Sequence, residues 1–429
     1  MAKIPSIALI PSGYKATKVY SVLPTDGSAD LTFNRGTSDD QTRVNSNGLI
    51  ENVDQDVPRL DYLDGGCPSL LLEPATTNLY DYSEDLSSWG SLIGLSVLSD
   101  SAISPNGGLN ADLLTEDTST GAHTIRKLVG PTITATNDYS LSFFVKSNGR
   151  DIVALSNDAG SASANAFFNL TSGTILSSTF DSASMEDYGN DWWRVEATLE
   201  ATGTGDYNTR IYTSIADGSF SHTGDGVSGL YIWGLQLEEQ SYATSYVPSL
   251  AATNGVRDAE TASKTGLSSY INSTEGVLYA EIRALANNVG GREFSLSDGT
   301  ASNRLVIQYS GSSNNLVALL TLGGSSQFIF STSLINQSEF IKVALKYKEN
   351  DFALWVNGLM AEIDTSGSTF TSGTLSRLAF DNSIGGDVFY SKTKELRVYK
   401  EALSDLELAR LTGFTSFASM RDYLSYEAE

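Results

Sequence analysis

Period-two alternation runs along this chain and limits the folds open to it. In Ser140–Lys146, Leu141, Phe143 and Val145 alternate with Ser142, Phe144 and Lys146; in Trp193–Leu199, Trp193, Val195, Ala197 and Leu199 alternate with Arg194, Glu196 and Thr198. The pattern returns in Ile341, Val343, Leu345 and Tyr347 against Lys342, Ala344, Lys346 and Lys348, and in Leu396 and Val398 against Glu395, Arg397 and Tyr399. Successive side chains of a strand point to opposite faces, so each segment reads as a half-buried strand. Ser147-Asn148-Gly149, Ser310-Gly311-Ser312-Ser313-Asn314-Asn315 and Asn357-Gly358 punctuate the strands as turns. Many short strands joined in this way predict an all-β chain of antiparallel β-sandwiches rather than βαβ units.

Helical signal is confined to the C-terminal end. Ser404-Asp405-Leu406-Glu407 has the form of a capping box, and Leu403, Leu406 and Leu411 give an apolar side to a short helix over Ser404–Leu411. Phe417, Met420 and Leu424 mark a second amphipathic candidate over Ser416–Tyr426.

Charge excludes two classes of partner. Of 429 residues, 27 are Lys or Arg and 51 are Asp or Glu, a formal charge of −24 with no basic run. Such a field repels a phosphate backbone or an anionic membrane surface, so neither nucleic acid nor membrane insertion is expected. No apolar run approaches the roughly 18 residues that span a bilayer. The N-terminal apolar stretch is broken by Pro5 and Pro11, which predicts synthesis in a cytoplasm without a signal peptide. Cys67 is the single cysteine, so no intrachain disulfide or cysteine-ligated zinc is expected. His123 and His222 lie far apart in sequence and read as separate polar strand or loop residues.

Composition divides the chain. Residues 1–77 hold six of the nine prolines and little alternation, an irregular segment that calls for a partner surface. Residues 78–250 carry one run of strands. Ala251 to Lys264 is small and polar, a linker. Residues 265–411 carry a second run of strands, and 412–429 form a C-terminal helical tail.

At this point the residues resemble a known group. Leu31-Thr-Phe-Asn-Arg-Gly-Thr, Thr42-Arg-Val-Asn-Ser-Asn-Gly-Leu-Ile-Glu and Gly65-Gly-Cys-Pro-Ser-Leu-Leu-Leu-Glu-Pro-Ala-Thr-Thr-Asn-Leu look like the leader of tailed-bacteriophage structural proteins. Tyr82-Ser-Glu-Asp-Leu with Trp89, and Trp233-Gly-Leu-Gln-Leu-Glu-Glu with Tyr242-Ala-Thr-Ser-Tyr-Val-Pro, resemble the ends of a carbohydrate-binding-module-like jelly roll. Val343-Ala-Leu-Lys-Tyr-Lys and Phe352-Ala-Leu-Trp-Val-Asn-Gly resemble central strands of laminin-G-like, concanavalin-type sandwiches. The resemblance implies a fibre or spike component of a virion, exposed on the particle surface. Residues 1–77 would contact other virion proteins, and the two sandwiches would bind host surface glycans. It also implies a homo-oligomer, a trimer by analogy with fibres. The expected protein is non-enzymatic; a glycan depolymerase and a ligand-free spacer are the alternatives.

The search for chemistry gives few candidates. Gly224-Asp-Gly-Val-Ser-Gly has dinucleotide-fingerprint spacing, but the strand-like Leu230–Leu237 follows where a helix is required, so it reads as a turn. A carboxylate pair able to hydrolyse a glycoside cannot be nominated among 51 acids. Loops at Asp217-Gly, Asp225-Gly, Asp298-Gly and Asp381-Asn could supply oxygen ligands to Ca²⁺, without diagnostic spacing. Aromatic parity is more informative, because a sugar ring packs its C–H face on an exposed indole. Trp193 and Trp233 share parity with Val195 and Leu235 and are expected in the core. Trp355, with Asn357, is expected opposite the core set Phe352, Leu354 and Val356, and Trp192 falls on the polar side. Trp355, Asn357 and Trp192 are therefore the candidate ligand-binding residues.

Overall fold

A computed structural model of the chain describes residues 3–413 except 12, 16, 39, 128–129, 160–161, 288–289, 312–313 and 335. The expected helix over Ser416–Tyr426 and most of the 412–429 tail lie outside the described residues. The described residues are nearly all β, in antiparallel sheets with one short α-helix, as the alternation leads one to expect, and the chain divides into two units.

The first unit takes Thr37–Asp54 and Ala75–Asp258. One sheet runs in the order Leu95–Ile103, Leu109–Glu116, Gly229–Glu238, Asp138–Asn148, Trp193–Glu200, Ser182–Asp187. The facing sheet runs Gly90–Ile93, Thr124–Lys127, Gly205–Ser214, Ile152–Ala159, Ala162–Asn169, Thr174–Ser178. Leu141, Phe143 and Val145 of one sheet and Val153, Leu155, Ala166, Phe168 and Ile211 of the other share a core from which water is excluded, as alternation predicts. Trp193 packs partly buried against this core and donates its indole N–H to the Leu170 carbonyl at 2.8 Å.

Trp233 is a correction. It is buried, but on the opposite face of its sheet from Leu235 and Leu237. The register between Asp138–Asn148 and Gly229–Glu238 shifts between Ser142↔Gln236 and Phe144↔Trp233. The extra residue is accommodated at Gly234, whose φ is +64°. A bulge reverses parity on either side of it. Leu230 and Ile232 therefore join Leu235 and Leu237 in the core. Trp233 instead packs its ring against Phe144 at 5.3 Å and Tyr246 at 4.7 Å between centroids.

The second unit takes Met1–Gly36, Gln55–Pro74 and Ala259–Glu429. One sheet runs Leu359–Asp364, Phe352–Val356, Ile341–Lys348, Glu275–Ala284, Ser391–Tyr399, Ser69–Leu71, Arg59–Asp61, and Ile7–Leu9 also pairs with Ser391–Tyr399. The other sheet places Leu31–Arg35, Glu260–Lys264 and Arg377–Ala379 side by side, ahead of Arg292–Ser297, Arg304–Tyr309, Asn315–Leu322 and Ser325–Ser333. The helix forms over Asp405–Thr412, where the Ser404 N–H and hydroxyl both donate to the Glu407 carboxylate.

This arrangement corrects the expected division at two places. Residues 1–77 are not a separate segment. Ile7, Leu9, Val19, Leu31 and Phe33 are buried within the chain's own sheets, while Ile4, Ile10, Tyr20 and Val22 stay exposed. Nor is 251–264 a linker, because Val256–Arg257 pairs with Thr76–Thr77 and Glu260–Lys264 is an inner strand. The physical reason is charge. Glu260 has no exposed surface and is met by Arg35 at 2.6 Å and by Arg59, which also reaches Glu73 at 2.7 Å. A buried carboxylate has to be neutralised where it sits. Residues 1–77 supply the cations that neutralise Glu260 within this sheet.

Candidate functional site

The three sequence candidates do not come together. Trp355 has the parity expected of it, opposite Phe352 and Leu354, but that face is covered. Trp355 is 8% exposed and belongs to an apolar cluster with Val277, Tyr279, Ala344, Tyr399, Leu403 and Leu408. The helix Asp405–Thr412 supplies the cover, and alternation within one strand carries no information about what lies over it. Asn357 is buried too, with a structural role. It occupies positive φ beside Gly358 in the turn between two strands, and its Oδ1 accepts the Lys342 N–H at 2.8 Å.

Trp192 lies at a cleft of about 300 Å³ in the first unit. Phe144 and Lys146 leave the core face of Asp138–Asn148 by alternation, and the cleft forms on that outer side. Its second wall is the turn between Ser182–Asp187 and Trp193–Glu200. Gly189, Asn190 and Asp191 all take positive φ there, the Asp187 carboxylate accepts the Gly189 N–H at 2.7 Å, and Trp192 N–H donates to the Gly189 carbonyl at 2.9 Å. Tyr188 lies edge-on to Phe144, with centroids 4.8 Å apart. The third wall is Ile103, Ser104 and Pro105 at the end of an edge strand. The fourth is Gly48 and Leu49, at the tip of the hairpin Thr42–Val44/Ile50–Asn52. That hairpin is fixed by Ile50 N–H donating to the Pro105 carbonyl at 2.9 Å and by Thr42 Oγ1 donating to the Tyr246 carbonyl at 2.5 Å.

Trp192 itself is 3% exposed and spends its indole N–H on the Ile103 carbonyl at 3.1 Å, so it forms the floor and is not a stacking surface. The accessible groups are the exposed Ile103 and Asn190 and the half-buried Leu49, Tyr188 and Lys146. Lys146 Nζ donates to the Asn190 carbonyl at 2.7 Å and lies 3.4 Å from Asp191 Oδ2. Apolar walls beside a few fixed donors and acceptors suit a small polyhydroxylated ligand. The hairpin residues were not legible as part of a site, since Gly48 and Leu49 precede the rest of the unit by tens of residues and are brought in by tertiary pairing.

A second cluster was also illegible in the sequence. His123 and His222 are brought together with ring centroids 4.5 Å apart and no exposed side-chain surface, through pairing of Thr120–Gly121 with His222–Thr223. His222 Nε2 is 2.8 Å from Glu116 Oε1, and Arg150 clamps both Glu116 oxygens at 2.7 Å. Burial alone would raise the Glu116 carboxyl, but Arg150 and His222 outweigh it and hold it low. Enclosed in this way, the two imidazoles and the Glu116 carboxylate offer no exposed surface. The nearby Gly224 belongs to a turn, as expected. A Cβ there would meet the Asp117 carbonyl at 2.0 Å, and Asp225 accepts the Val227 and Ser228 N–H groups at 2.9 and 2.7 Å.

Each Ca²⁺ candidate carboxylate is engaged locally. Asp217 accepts from Ser177, Asp298 caps Thr300 and Asn303, and Asp381 pairs with both Arg377 nitrogens. Among the described residues no three Asp, Glu, His or Cys side chains converge as a metal site.

The fold is thus that of a chain built from antiparallel β-sandwiches. No protein-family model and no curated protein matches it. Among solved structures, the carbohydrate-binding module of the Ruminococcus gnavus IT-sialidase, bound to α2,3-sialyllactose, is similar over 33% of this chain and 83% of that one, at 19% identity and TM-score 0.29. The mouse laminin alpha1 chain, domains LG4-5, is similar over 70% of this chain and 92% of that one, at 10% identity and TM-score 0.23. The leech intramolecular trans-sialidase is similar over 34% of this chain and 24% of that one, at 21% identity and TM-score 0.29. Likeness at these scores carries no argument about ligand or activity.

Proposed function

We propose that this chain is a non-enzymatic, glycan-binding protein of the tailed-phage virion surface, a fibre or spike component made in the host cytoplasm. The observation that carries the binding half of this reading is the cleft floored by Trp192, lined by apolar Leu49 and Ile103 together with Asn190 and Lys146. An apolar wall offered to the C–H face of a sugar, with donors and acceptors for its hydroxyls, is the recognition chemistry a glycan needs. The virion half rests on the leader and sandwich motifs of the sequence. On this reading other virion proteins and host surface glycans are the partners. Assembly as a homo-oligomer, a trimer in the first instance, multiplies weak individual sites through effective concentration.

Purified full-length chain exposed to host capsule and lipopolysaccharide should bind without releasing oligosaccharide. Ile103→Glu and Asn190→Gly should each weaken that binding while melting like the parent protein, because Ile103 is exposed and glycine accepts the positive φ at position 190. Release of oligosaccharide would overturn the non-enzymatic reading, and unaltered binding by both variants would remove the cleft from it.

A further inference from the structure

The charges around the cleft narrow its ligand, on the reading just given. Lys146 is the single cation among the lining residues; one of its three N–H donors goes to the Asn190 carbonyl at 2.7 Å, and its charge is met by Asp191 Oδ2 3.4 Å away. The Asp191 side chain is 87% exposed beside the cleft mouth. In the same turn the Gly189 N–H, a donor an anion could use, is taken by Asp187 at 2.7 Å. Recognition of a carboxylate or sulfate is strongest with a guanidinium or several convergent N–H donors, and here the one ammonium stands beside the Asp191 carboxylate while Asp187 takes the Gly189 N–H. The whole chain adds a negative field at −24, screened over about 10 Å at 0.1 M salt.

We propose that the cleft takes a neutral sugar residue and that Asp191 excludes glycans bearing a carboxylate or sulfate at that residue. A vicinal diol suits the Lys146–Asp191 pair, because one hydroxyl accepts from the ammonium while the other donates to the carboxylate, and no net charge is buried. Asn190 adds one further donor and acceptor. Ile103 and Leu49 take the apolar face of the ring. The cleft stands at the small end of ligand sites, which run from about 300 to 1,000 Å³, so it fits a terminal residue or a short stretch.

Matched oligosaccharide pairs differing only in an acidic cap, such as lactose against 3′-sialyllactose together with sulfated counterparts, test this with full-length chain by calorimetry or on immobilised glycans. The neutral member should bind and the acidic member should bind at least about tenfold more weakly, as like charges in one site demand. Asp191→Asn should narrow that gap by gaining acidic ligand, and Lys146→Met should weaken the neutral one. A wild-type chain that binds the acidic member as well as or better than the neutral one overturns this inference and leaves the cleft reading standing. Glycan binding that Ile103→Glu and Asn190→Gly do not weaken, or binding to neither member of any pair, overturns the reading and the inference with it.

Discussion

Several side chains in this protein carry more than their residue type announces. Asp64 is one. Burial by itself would raise its carboxyl, but Lys392 and Arg283 outweigh burial and hold it below the ordinary range. A carboxylate depressed in the folded state contributes stability above its unfolded value of about 3.9, and that contribution is lost as pH falls through the folded value. Urea unfolding of the parent and of Asp64→Asn should show a full stability gap at neutral pH that closes progressively below about pH 4. A gap that stays constant down that range would mean the ion pairs contribute nothing. Trp355 is the other case. Buried beneath Leu403 and Leu408, its truncation to alanine should cost about 3 to 5 kcal/mol through the cavity left behind. Glycan binding per folded molecule should not change. Unfolding midpoints equal to the parent's would place the indole outside the packed cluster.

At the scale of elements, the bulge at Gly234 decides which aromatic rings meet. Its φ of +64° is costly for any residue with a Cβ, by roughly 1 to 2 kcal/mol. A Cβ there would also come within 2.9 Å of Phe144 Cδ2. Gly234→Val should therefore destabilise the unit built from Thr37–Asp54 and Ala75–Asp258 by more than that backbone cost alone, and alter near-ultraviolet circular dichroism from Trp233 and Tyr246. A variant with unchanged melting and unchanged aromatic signal would show that the bulge relaxes freely. The helix Asp405–Thr412 works in the same way on the other unit: eight residues, fixed at their start by Glu407 on Ser404, hide an indole that the strand alone would have left in water.

For the whole molecule, chain order and architecture part company. The stretch Leu250–Asn254 is exposed, and protease should cut there, at a loop tip with little to protect it. The two products should stay together on size exclusion, because Leu31–Arg35 on one side of the cut pairs with Glu260–Lys264 on the other, and Ser69–Leu71 pairs with Ser391–Tyr399. They should separate only in denaturant. Free migration of two compact fragments under native conditions would contradict this interleaving. For the same reason a chain begun at Asn78 lacks Arg35, Arg59 and Glu73. It would have to bury Glu260 without the two guanidinium groups that meet it, a cost of about 3 to 5 kcal/mol on top of the missing strands.

What was legible in the sequence was local. Alternation in Ser140–Lys146 and Ile341–Lys348 determined strands and hence a sandwich class. Ser404 and Glu407 determined where a helix starts, and the residues following Gly224 marked a turn and excluded a nucleotide site. These follow from backbone geometry over a few residues, which neighbours in sequence dictate. Tertiary structure decided everything that depends on cover and register: that a bulge turns Trp233 away from Leu235, that a helix closes over Trp355, and that His123 meets His222. It also decided that a hairpin tip at Gly48 and Leu49 walls the cleft floored by Trp192. A strand's parity says which side a residue faces, but only the pairing of distant segments settles what stands on that side, because burial is a property of the partners and not of the residue.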